Sequence, residues 1–145
     1  MCLKNKFVFL SKINKNMIQI NKDFYPLIYI TFKDSDWNFE DYSIVMQIIE
    51  QDLKEIIKKG DLIQLMIAGN PEMTTYPSLN SCSWIVKDLF RIRPLLKDGI
   101  ARTAIFKPDN KLDFFFDMLF AIYTPVKPVQ IFKQYDDAYL WLTSE

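Results

Sequence analysis

The sequence predicts an α/β fold: a mixed β-sheet that opens as an antiparallel meander and continues as strand–helix units. Three observations carry this. Residues 62–68, LIQLMIA, form a nearly unbroken apolar run, as expected of a central strand covered on both faces. The first third of the chain alternates short β-branched and aromatic runs with polar turns. After residue 34 the apolar period changes to that of helices, and helical and strand-like stretches then alternate to the end.

Each element has a local reason. Lys6 to Leu10, with the apolar run FVFL, is a candidate strand, and Asn14-Lys15-Asn16 reads as a turn. Met17 to Ile20 is a short alternating strand, closed by a second turn at Asn21-Lys22-Asp23. Leu27 to Phe32 is a strong strand with Pro26 at its edge, where a missing N–H is tolerated. Phe39, Tyr42, Val45, Met46, Ile49, Leu53, Ile56 and Ile57 then recur at helical spacing. Asn38 can cap that helix, Asp41 favours its dipole, and Gly60 suits a left-handed stop.

After the central strand comes a polar loop, Asn70 to Asn80, and a helix whose stripe is Ile85, Leu89, Ile92 and Leu96. Asn80, Ser81 and Ser83 are its candidate caps, and Pro94 should kink or end it. Ile100 to Phe106 is a further strand. A helix follows from about Lys111 to Tyr123, capped by Asn110, with Pro125 and Pro128 beyond its end. Val129 to Phe132 is a last short strand, and Asp136 or Asp137 opens a final helix over Ala138 to Leu142. No repeat or low-complexity segment interrupts this order, and 145 residues suit one domain, 1–145.

Composition narrows the function. Half the residues are hydrophobic, with 12 Phe, 7 Tyr and 3 Trp, enough for a packed core without metal or disulfide. Lys plus Arg equals Asp plus Glu, 18 each, so charge gives no reason to expect nucleic acid or an anionic membrane as partner. The apolar run near the N-terminus is shorter than a signal-peptide core, and Phe114 to Tyr123, broken by Asp117, is shorter than a membrane span. Cys2 and Cys82 read as free thiols, and the expected location is the cytoplasm.

The catalytic inventory is thin. There is no histidine, which removes the commonest general base and metal ligand. The three glycines end elements, so there is no phosphate-binding glycine loop. The acid pairs Asp34/Asp36, Glu40/Asp41 and Asp136/Asp137 sit at predicted helix starts, where acids are favoured without catalysis. Arg91 and Arg93 lie two apart and do not share a helix face. No enzyme, cofactor or metal site is expected.

Two places are candidates for binding. Thr74, Thr75, Tyr76 and Ser78, with Ser81 just beyond, follow the carboxyl end of the central strand, where open α/β sheets hold ligands. The helix over 111–123 carries two apolar stripes. Phe115, Met118, Leu119 and Ile122 make one; Phe116, Phe120 and Tyr123 make the other. One stripe serves the core. The second needs cover from Trp141 and Tyr139 of the final helix, from a second copy of the chain, or from an apolar small molecule.

The second half of the chain also resembles a known family. The segment RPLLKDGIARTAIFKPDNK, the aromatic run Phe116-Asp117-Met118-Leu119-Phe120 and the ending PVQIFKQYDDAYLWLTSE are similar to SpoIIAA-like domains of the STAS and Sec14-like group. The likeness is strongest over the last fifty or so positions and extends by element order to most of the chain. It implies strand–helix units coiled onto one sheet, in a non-catalytic module that binds a protein partner or an apolar, lipid-like small molecule. Some relatives are switched by phosphorylation within an Asp-Ser-Gly motif after the central strand. The corresponding segment here, NPEMTTYPSLNSCS, lacks that motif, so no phosphosite carries over.

Overall fold

The computed structural model describes residues 18–32, 38–69 and 79–144. The predicted strand over 6–10, the turn at 14–16, and the acids Asp34 and Asp36 lie outside them. The described chain runs β1 (Ile18–Phe24), β2 (Leu27–Phe32), α1 (Phe39–Lys58), β3 (Ile63–Gly69), α2 (Leu79–Arg91), α3 (Arg93–Gly99), β4 (Ile100–Phe106), α4 (Asp113–Ile122), β5 (Val129–Phe132) and α5 (Tyr135–Thr143). The five strands lie side by side in chain order. β1 pairs antiparallel with β2, and the three remaining pairs are parallel. The mixed α/β sheet with its apolar run at the centre is therefore as the sequence predicts.

Topology then decides which face each helix covers. Parallel neighbours in chain order need right-handed crossovers in one direction, which put every crossover helix on the same side. On that side Ile28, Leu53, Ile56, Ile63, Ile92 and Ile100 form one buried cluster between the sheet, α1 and α3. Ile105, Phe116 and Leu119 form a second with α4, walled by Ile85, Val86 and Leu89 of α2. Only α5, which follows the edge strand, is free to fold back over the opposite face. There Ala138 and Leu142 pack on Leu27, Met66 and Ala104, all buried. Each large apolar side chain of these clusters, Leu, Ile, Met or Phe, contributes roughly 1.5–3 kcal/mol when withdrawn from water.

Long-range contacts overrule several local signals. Asn21-Lys22-Asp23 is not a turn but part of β1; the Asn21 side chain accepts from the Asp23 N–H at 2.8 Å, and the pairing shifts register there. Its turn chemistry is spent on a bulge, and Lys22 reaches Asp52 of α1 at 2.9 Å. The reversal falls instead at Tyr25-Pro26, whose peptide bond is cis. Asn80, Ser81 and Ser83 lie inside α2 rather than capping it. Asn110 does not cap α4 either. That helix starts at Asp113 after Leu112, and Asn110 contributes only its backbone carbonyl to the Asp113 N–H.

Other signals hold. Asn38 caps α1 by accepting from the Asp41 N–H at 2.8 Å. Gly60 ends it at φ 78°, a left-handed conformation that strains any side chain. Pro94 sits in the first turn of α3, and Ile92 is the joint between α2 and α3. The acid pairs Glu40/Asp41 and Asp136/Asp137 lie in first helical turns, as capping predicts.

Candidate functional site

The crossover face carries an apolar cavity of about 150 Å³. Its floor is Leu65 and Ile67 of β3, Thr103 and Ile105 of β4 and Val129 of β5, and its roof comes from α2, α3 and α4. The roof exists because Pro94 breaks the second crossover helix, so that Leu89 and Leu96 lie on two helices and both reach the same space.

Phe116 and Phe120, expected to need cover, belong to this wall. Their rings stack with centroids 6.1 Å apart and planes at 14°. Trp141 and Tyr139 do not cover them. Those residues are on α5, across the sheet, where Trp141 packs on Phe132 and Tyr139 stacks on Tyr135. The neighbours of Phe116 are instead α2 side chains and Ile105. Of the loop candidates, Ser81 is buried at 2 % exposure in the first turn of α2 and is not part of the wall. Thr74, Thr75, Tyr76 and Ser78 lie outside the described residues.

Three polar residues of the wall were not singled out as a site by the sequence. Tyr123, only 3 % exposed, places its ring 5.1 Å from Phe90 and beneath the Arg93 guanidinium at 5.4 Å. Its buried hydroxyl has no hydrogen-bond partner. Thr103 is buried, and Lys127 is the wall's one charged residue among those described. Tyr123 stood in the second apolar stripe, so its burial was legible. Lys127 looked like part of a helix stop, Pro125 to Pro128, and Thr103 like any strand residue.

A wider groove of about 380 Å³ runs between α1 and α2, past Phe39, Met46 and Trp84. Two of its charged residues, Asp88 and Arg91, are already engaged. Asp88 accepts from the Tyr42 hydroxyl at 2.7 Å and from Arg91 at 3.0 Å, and Arg91 also pairs with Glu50. Arg93 donates to the Thr124 carbonyl at 2.7 Å. The two arginines thus serve different structural contacts, in keeping with their spacing. The Cys82 thiol is free, and burial raises its pKa, which makes it a poor nucleophile.

The architecture matches a solved structure. It is similar to the crystal structure of an uncharacterised protein of the DUF3478 family, with a SpoIIAA-like fold, from Shewanella loihica PV-4. The TM-score is 0.54 at 18% identity, covering 86% of this chain and 91% of that one. This chain has a SpoIIAA-like fold. No protein-family model matches the sequence, and no curated protein is significantly similar to it. In the SpoIIAA-like frame of this chain the cavity lies on the three-crossover side, while the α5 side is filled. Met66, Ala104 and Ala138 are each at 0% exposure there. No helix among the described residues is long and apolar enough to cross a membrane.

Proposed function

We propose that this SpoIIAA-like chain is a single-domain, non-catalytic, cytoplasmic binding module whose crossover-face cavity takes an apolar small molecule. The observation that carries this is the cavity itself: about 150 Å³ bounded by Leu, Ile, Val and Phe side chains, with very few polar groups. Ligand sites have this character, a mainly apolar lining with a small number of placed polar groups. Phe116 and Phe120 are then binding residues, as their stripe suggests.

Toluene is a suitable probe, since it tests the cavity without any head group. A ligand that binds only the folded state at tenfold its Kd stabilises it by about 1.4 kcal/mol. A rise in Tm with toluene is expected for the native sequence and not for Val129→Phe, which fills the space from β5. No rise for either protein would remove this reading.

A second reading, a protein partner or a homodimer, is favoured by the outer face of α4. Phe114 and Ile122 lie eight residues apart and are 72% and 60% exposed, with Met118 between them. Sedimentation of the native chain and of Phe114→Glu tests it. A monomer in both cases, with no partner captured, would count against this second reading.

A further inference from the structure

We infer that the molecule held in this cavity is a small carboxylic acid in its anionic form, with a compact apolar body about the size of benzoate. The inference rests on the cavity being a binding site, as proposed above, and adds what the ligand must be.

Volume sets the body. A dry apolar cavity of about 150 Å³ is known to accept benzene. Drug-sized ligands occupy roughly 300–1,000 Å³. The cavity, at about 150 Å³, is therefore the right size for one aromatic ring or a short branched alkyl group. A long acyl chain would extend beyond it.

The polar groups of the wall set the head. Lys127 contributes the only charge, and no carboxylate pairs with it among the described residues. Tyr123 contributes a buried hydroxyl that lacks an acceptor, an arrangement that is unfavourable until one is supplied. Thr103 adds a further hydroxyl. An ammonium and a phenol are both donors, and their common complement is an anionic acceptor. A cationic ligand would meet Lys127 with no acid in the wall to balance it. A dianionic phosphate would meet a single cation in the wall, because the Arg93 guanidinium over the Tyr123 ring is engaged by the Thr124 carbonyl. A monoanionic carboxylate matches that single charge and offers two acceptor oxygens to these donors.

Fluorine NMR titration of the full chain at neutral pH tests this with para-fluorobenzoate and, as its neutral counterpart, para-fluorotoluene. The benzoate should bind roughly tenfold or more tightly than the toluene, the factor expected of hydrogen bonds to a charged group. Lys127→Met and Tyr123→Phe should each reduce that preference, lowering the affinity for the benzoate more than that for the toluene. Both keep the apolar body of the side chain, and an unaltered melting temperature would confirm that they fold. Equal affinity for the two probes would overturn the carboxylate assignment while leaving the cavity reading intact. Binding of neither probe would overturn both. Benzoate binding that survives Val129→Phe would place the anion elsewhere and also overturn the assignment.

Discussion

Tyr42 on α1 donates its phenol O–H to the Asp88 carboxylate on α2 at 2.7 Å, joining the first crossover helix to the second. Asp88 holds Arg91 at the same time, and Arg91 bridges back to Glu50 on α1. The Tyr42 ring is buried, packed beside Phe39 and Trp84. Burial first, and then the bond to Asp88 and its charge, push the Tyr42 pKa far above the ordinary phenol value, against a smaller opposing effect of Arg91.

Removing that hydroxyl should loosen the two helices without emptying the core. Tyr42→Phe is expected to cost about 1.5 kcal/mol, the lower end for a hydrogen bond to a charged group, because Asp88 is partly exposed and keeps Arg91. Urea unfolding measures it. A variant as stable as the native chain would mean that the bond contributes nothing net.

Alkaline pH should destabilise the chain for the same reason. The Tyr25 pKa is pushed up from 10.0 to about 12 by burial first, then by its bond to Asp61 and the Asp61 charge. A group whose pKa is raised on folding contributes stability that is fully present below its unfolded value. That stability is lost as pH rises from about 10 through the folded value, about 12 for Tyr25 and higher for Tyr42. Urea midpoints across that window should fall for the native chain and fall less steeply for Tyr25→Phe and Tyr42→Phe. Identical slopes in all three would refute the linkage.

The two faces of β3 should respond differently to truncation. Met66 is wholly buried between the sheet and α5, so Met66→Ala is expected to cost roughly 2–5 kcal/mol. Leu65 is only partly buried and borders the cavity, so Leu65→Ala should cost less. Denaturant midpoints of the pair decide the matter, and the reverse order would contradict the assignment of the faces.

Gly60 offers a backbone test. It holds φ 78° with nothing within 4 Å of where a Cβ would stand, so the effect of a side chain there is conformational rather than steric. Gly60→Ala should cost roughly 1–2 kcal/mol, and Gly60→Asn less, since Asn tolerates this conformation better. Calorimetry of both variants would show the difference; an Ala variant at native stability would mean that the turn relaxes.

Among the described residues, α5 is the helix that covers the side of the sheet opposite the crossover helices. Leu142, at 1% exposure, seats it on β3 and β4, and Arg102 of β4 donates to the Trp141 carbonyl at 2.6 Å while lying 5.4 Å from the Trp141 ring. Leu142→Ala should cost roughly 2–5 kcal/mol and speed amide exchange in α5 more than in α1. Uniform exchange across both helices would show that α5 is not a separately lost unit.

The sequence by itself determined what depends on neighbours within a few residues. The α1 stripe with its Asn38 cap, the apolar run of β3, the break at Pro94 and the pairing of Phe116 with Phe120 on one helix face are all local periodicities. Tertiary structure decided what needs partners far along the chain. Asn21 to Asp23 became a bulge because Lys22 finds Asp52, thirty residues on, and β1 continues along β2. Trp141 and Tyr139 went to the opposite side of the sheet from Phe116 because only the helix after the edge strand is free of the right-handed crossover rule. The cavity, too, is invisible in any one stretch. Its wall joins Leu65, Thr103, Phe116, Tyr123 and Lys127, which only the parallel register of β3 to β5 and the split between α2 and α3 bring around a single space.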